Sequence, residues 1–146
     1  MKNKGFSLVE LIIVIAIMAI LAAAIAPALI RYIDKSRKSD DVAAAETVNT
    51  AVNAALANED AYSEVSDDMD GATQVWSCTG GTACTVGQTY GTFDQEMSDN
   101  LGGEAPKVKY TKDSNTVWSV TIQSSGKAIV FKGDVELQPD IDASYK

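Results

Sequence analysis

The chain has 146 residues, 46% of them hydrophobic, and a net charge of −8, which leaves room for one compact domain with an appendage. It contains no histidine, so the commonest general base and the commonest zinc ligand are missing; with neither a G-x-S-x-G turn nor a phosphate-cradling glycine loop, an enzyme is not expected. The charge is uneven: residues 1–38 hold six basic and two acidic side chains, residues 39–146 six basic and eighteen acidic, and so acidic a body repels nucleic-acid phosphates.

Residues 1–5 form a short basic head carrying Lys2 and Lys4, and from Phe6 to Ile30 the only charged side chain is Glu10. A helix over that apolar run would measure about 37 Å against a hydrocarbon layer of about 30 Å, enough to span with some tilt. Lys2 and Lys4 favour a cytoplasmic N-terminus, whereas Arg31, Lys35, Arg37 and Lys38 at the other end oppose that signal. A cleavable secretory signal could use Ala24-Ile25-Ala26 as its small-residue site, but Pro27 would follow the cut, the run is long, and Glu10 sits where a signal core is uncharged. A plain anchor leaves Glu10 unexplained. A carboxylate at the centre of a spanning helix costs roughly 2.5 to 3.5 kcal/mol, and less near the N-terminal end, where the positive end of the helix dipole helps.

The run Gly5-Phe6-Ser7-Leu8-Val9-Glu10 resembles the processing site of type IV pilins and pseudopilins. The resemblance implies that a prepilin peptidase cuts after Gly5 and N-methylates Phe6. It also implies that Glu10 of an adjacent subunit neutralises the Phe6 ammonium in a filament core. Such a pair gives assembly a register, because a misplaced neighbour leaves two costly charges unpaired. Pro27 stands where these proteins often carry a helix-breaking proline; it removes a donor and crowds the preceding turn, predicting a kink or a locally melted stretch near Ala23 to Ala26. Ala16, Ala19, Ala22, Ala23, Ala24 and Ala26 keep parts of the helix surface small, which permits close packing in a filament and equally suits an Ala-rich anchor.

Helical periodicity continues to about Asn58, with Ile30, Ile33, Val42, Ala44, Val48, Ala51, Val52, Ala55 and Leu56 forming an apolar stripe. Residues 59–106 are acidic, Gly-rich and weakly periodic, and read as a long connector with little regular structure. Within it, Asp67, Asp68 and Asp70 are weak calcium candidates whose spacing departs from an EF-hand loop, and a solvated loop is preferred. Cys78 and Cys84 flank a Gly-rich turn that can bring them together, and an exported chain meets an oxidising compartment, so a disulfide is preferred over free thiols. Closing so short a loop stabilises by only about 2 kcal/mol. A metal pair or a redox site is disfavoured by the spacing and the lack of further ligands.

Lys107–Thr111, Thr116–Gln123 and Lys127–Lys132 are β-prone runs separated by turn compositions, and they suggest an antiparallel meander. Trp118, Val120 and Ile122 alternate with Val117, Ser119 and Thr121, so one sheet face can cover the helix stripe with Trp118 in the core.

The expected architecture is α+β: a long N-terminal helix packed on a small antiparallel sheet, similar to the pilin fold. Residues 1–5 would be a removable leader, 6–30 the transmembrane and filament-core half of the helix, and 31–146 a soluble head including the amphipathic half. The resemblance implies a structural subunit stored in the cytoplasmic membrane and polymerised into a surface filament that serves adhesion, twitching motility, aggregation or DNA uptake. Its partners would be further copies of itself, the prepilin peptidase, and an assembly platform with its motors; no cofactor and no catalytic residue is expected. The alternatives are a secretion pseudopilin or minor pilin, and a membrane-anchored binding domain that never polymerises.

Overall fold

The computed structural model describes residues 5–84 and 90–146. The chain divides into two units between Ser36 and Arg37, and helix α1, Leu8–Ala55, contributes to both.

In the first unit, α1 pairs its backbone groups along its own length except at Pro27, which has no amide to donate. Its first turn is closed by the Leu11 amide donating to the Ser7 carbonyl at 3.2 Å. The helix runs unbroken through Pro27, so the melted stretch expected near Ala23 to Ala26 is not found. Proline removes a single donor, and the alanines and leucines on either side are strong helix formers that carry the helix across it.

In the second unit, Asp41, Ala45, Val48, Ala51, Val52 and Ala55 form the buried line of α1, with Val42, Ala44 and Leu56 partly covered beside it. The helix stops at Ala55, short of Asn58. Asn58 instead caps a second helix, α2 (Glu59–Val65), its side chain accepting from the amides of Asp60 and Ala61. A 3-10 turn at Ser66–Asp68, strand β1 (Gln74–Thr79) and helix α3 (Thr92–Asn100) follow. The stretch read as an irregular connector thus holds two helices and a strand. Asn58 with the acidic Glu59 and Asp60 is a helix start as well as a stop.

Strands β2 (Val117–Ile122), β3 (Ala128–Lys132) and β4 (Val135–Gln138) join β1 in an antiparallel sheet of order β1-β2-β3-β4. The meander and the α+β class agree with the sequence reading, but Lys107–Thr111 forms no strand. Its amides at Lys109 and Tyr110 are taken by the Asp41 carboxylate, so no ladder forms there. Cys78, Trp118 and Lys132 are neighbours across three strands, as are Trp76, Val120 and Val130. Trp118, Val120 and Ile122 are fully buried in one cluster with the α1 line, Val65 of α2, and Phe93 and Met97 of α3. The Trp118 indole N–H donates to the Pro106 carbonyl at 2.7 Å, which satisfies the polar end of an otherwise apolar side chain. β1 and β4 are the sheet edges; the pairing of β1 is bulged at Gln74/Trp76, that of β4 at Val130/Phe131, and Pro139 follows β4.

Candidate processing and assembly segment

Gly5 and Phe6 stand just ahead of α1. A side chain added at Gly5 would meet nothing within 4 Å, and Phe6 is 85% exposed. Residues 1–4 of the expected leader lie outside the described residues. Glu10 is the third residue of α1, and its Oε2 accepts from the Ser7 amide at 2.9 Å. This is one half of a capping box, with the carboxylate at the positive end of the helix dipole. Ser7 therefore joins the candidate residues, and its S-x-x-E spacing with Glu10 is the signal that marks it.

Beyond Glu10 the surface is uninterruptedly apolar as far as Ile30. The large aliphatic side chains of α1 from Leu8 to Ile33 are all exposed, between 41% at Ile33 and 73% at Leu8. The helix is long and apolar enough to cross a membrane, and so large an exposed apolar surface calls for a non-aqueous surrounding. Pro27 lies within this exposed stretch.

In the second unit, Cys78 and Cys84 are joined as a disulfide with their Cα atoms 5.5 Å apart. The enclosed loop is also clamped by backbone bonds, Gly80 to Thr116 at 2.7 Å and Gly81 to Ala105 at 2.9 Å. A Cβ at Gly80 would stand 2.8 Å from the Pro106 carbonyl oxygen, so only glycine allows this approach.

Asp67, Asp68 and Asp70 do not converge. Asp68 accepts from the Tyr90 hydroxyl. Asp70 accepts from the amides of Thr73 at 2.6 Å and Ala72 at 2.8 Å; these bonds, Thr73 first, hold its carboxyl below the usual aspartate value. Burial, then the bond to Asp68, raises the Tyr90 phenol above its ordinary value. Among the described residues, no group of three or more His, Cys, Asp or Glu side chains is placed to hold a metal ion.

One charged cluster outside the sequence candidates is built on a fully buried ion pair, with a partly exposed aspartate at its margin. Lys132, with no exposed side-chain surface, pairs with the equally buried Asp41 at 3.3 Å and with Asp113 at 2.9 Å. Its Nζ also donates to the Tyr110 carbonyl at 2.6 Å and the Tyr145 hydroxyl at 2.5 Å. Asp41 accepts from the amides of Lys109 at 2.6 Å and Tyr110 at 3.1 Å. Burial alone would raise the Asp113 carboxyl, but hydrogen bonds from Lys132 and Tyr145 outweigh it and the net shift is downward. Lys38 lies 4.8 Å from the centre of the Tyr110 ring and donates to the Ser144 carbonyl at 2.7 Å. With every oxygen and ammonium hydrogen engaged, the cluster offers no open position for a substrate; it cross-links α1, β3 and the C-terminal segment.

Comparison with known proteins bears on the N-terminal segment first. The family model described as a prokaryotic N-terminal methylation motif matches residues 1–26. The chain is similar to Fimbrial protein Q of Moraxella bovis, 34% identical over 143 residues that cover 84% of this chain and 88% of that protein. It is also similar to the Type IV major pilin protein PilA of Myxococcus xanthus, 34% identical over 68 residues, or 47% of this chain and 31% of the relative. The Type IV major alpha-pilin of Moraxella bovis is 55% identical over 57 residues, covering 37% of this chain and 34% of that protein. No solved structure matches the chain.

Proposed function

The chain belongs to the type IV pilin family, and we propose that it is a filament-forming subunit cut after Gly5, N-methylated at Phe6, stored in the cytoplasmic membrane through residues 6–30 and then polymerised. The observation that carries this reading is an apolar helical surface left exposed from Leu8 to Ile33, with Glu10 as the only charge between Phe6 and Ile30. Such a surface is covered by lipid before assembly and by neighbouring helices after it. In the single chain Glu10 accepts from the amide of Ser7, so its carboxylate is already held at the helix start. In the filament, the Phe6 ammonium of an adjacent subunit becomes a stronger partner, because a charge-assisted bond in an apolar core is strong and costly to leave unmade.

The prepilin peptidase, an assembly platform and its motors are the partners this cycle requires. The chain itself supplies no catalytic step. Two of the relatives are named as major pilins, which supports a subunit that forms the filament's length over a priming or capping pseudopilin, and the abundance of the chain in sheared filaments tests that choice. The central test is mass spectrometry of the N-terminus from those filaments: N-methylated Phe6 is the expected result, and an intact Met1 or a start at Pro27 would overturn the reading.

A further inference from the structure

Just past the apolar run, α1 carries a cationic face. Ala28, Arg31, Tyr32 and Lys35 line a groove of about 320 Å³; their spacing puts all four on one helix face. Arg31 and Lys35 are exposed and Tyr32 is 74% exposed. The same face continues one and two turns back through Ile25, Ala24 and Leu21, all exposed.

Depth identifies the surroundings of this groove. From Glu10 to Arg31 the helix rises about 32 Å, close to the roughly 30 Å hydrocarbon thickness. With Glu10 at one boundary, Arg31 and Lys35 fall in the opposite headgroup layer and Tyr32 in the aromatic belt. Basic side chains on the outward side oppose the usual charge preference of a spanning helix; Asp34 is the single acid among Arg31, Lys35, Arg37 and Lys38, so an anionic partner at that depth offsets the remaining excess. Lipid phosphate is the anion found there. The arginine fork and the lysine ammonium both suit it, and the small side chains of Ala28 and Ala24 leave room for an acyl chain alongside. A zwitterionic lipid would bring its own cation against Arg31 and Lys35, so a lipid of net negative charge fits better.

We propose that the Arg31–Lys35 face of α1 binds the headgroup phosphate of an anionic phospholipid in the outer leaflet, with an acyl chain along Ala28, Ala24 and Leu21. The proposal rests on storage of residues 6–30 in the membrane. The bound lipid sets the depth at which the unassembled subunit sits. Acidic side chains from the head of a second copy are the rival occupant; the depth match and the apolar continuation of the groove favour lipid.

The test places the full chain in phosphatidylcholine vesicles with a minor share of phosphatidylglycerol, checks insertion by alkaline extraction, and reads retained lipid by native mass spectrometry. The wild-type chain is expected to retain phosphatidylglycerol above its share. Arg31→Gln/Lys35→Gln is expected to reduce that enrichment about fivefold per cation removed while staying inserted, and Lys107→Gln/Lys109→Gln, with the same charge change, to keep it. An inserted chain that retains both lipids in proportion overturns the proposal, as does equal loss in the two double variants. So does displacement by inorganic phosphate at matched ionic strength, which would mark a free-anion site. If Arg31→Gln/Lys35→Gln keeps its lipid enrichment but loses filaments, the face belongs to a second copy and the proposal falls. A chain that leaves the membrane on extraction overturns the storage reading itself, a failure the extraction step separates from loss of lipid preference alone.

Discussion

Lys132 and Asp41 meet at 3.3 Å with no exposed side-chain surface on either, so the last residue of β3 and the start of the buried line of α1 are joined by charges that salt barely screens. Removing one member of such a pair strands the other in a low-dielectric interior. Lys132→Met is expected to destabilise the second unit by about 3 kcal/mol. Asp41→Asn should cost less, because Lys132 keeps Asp113. Urea unfolding of the full chain in detergent, followed through the buried Trp76 and Trp118, measures both; near-equal stability of Lys132→Met and wild type would contradict the buried-pair account.

The pH dependence follows from carboxyls whose folded pKa is lowered. Asp113 lies below its ordinary 3.8 because hydrogen bonds from Lys132 and Tyr145 outweigh burial. Glu64 lies below its ordinary 4.5 because the amides of Phe93 and Thr92 bond its charged form. Groups of this sign bind protons more weakly when folded, so they stabilise above the ordinary value and lose that contribution as pH falls through the lower folded value. With no histidine, stability should be flat from about pH 6 to 8 and decline progressively below about pH 4.5. A transition centred near neutrality in thermal scans across pH would count against this assignment.

Helix α3 takes its cap from another helix. Gly91 precedes it without a side-chain cap, and Glu64 of α2 accepts from the amides of Thr92 at 2.8 Å and Phe93 at 2.9 Å. Glu64→Ala should therefore raise hydrogen exchange across the first turns of α3 while leaving β2 and β3 as protected as before. Glu64→Gln should show an intermediate effect, since it keeps an acceptor without the charge. Unchanged exchange in α3 would show that its amides are held by something else.

Glu10 offers a comparison that separates local from intermolecular roles. Glu10→Gln retains an acceptor for the Ser7 amide, whereas Glu10→Ala retains none. If the carboxylate pairs with the Phe6 ammonium of a neighbour, both variants should stay in the membrane and both should strongly reduce sheared filament yield. Normal yield from Glu10→Gln would reduce the role of Glu10 to helix capping.

Much of this arrangement is legible in the chain. An apolar run with one charge marks the exposed half of α1, alternation marks β2, and a β-prone run set off by turn residues marks β3. The elements that escape reading are those whose determinants are distant or irregular. In β1 the bulge at Gln74/Trp76 buries Val75 and Trp76 in succession, which destroys the alternation that would reveal a strand. The cap of α3 is far away in sequence. Lys107–Thr111 has the composition of a strand, but its amides are claimed by Asp41. The internal cluster left a signal of its own: a carboxylate on the apolar line of α1, and a lysine in the inward series Ala128, Val130, Lys132. Each position alone announces a buried charge. Their pairing needs the fold.

The edges of the sheet carry a last consequence. β1 is bulged and tied at one end by the Cys78–Cys84 bond, and β4 has only four residues before a proline; both are devices that discourage one sheet from extending into another. Crowded copies of the chain are thereby kept from recruiting one another strand by strand. If subunits associate through α1, as proposed, separating two of them breaks side-chain packing and no backbone ladder.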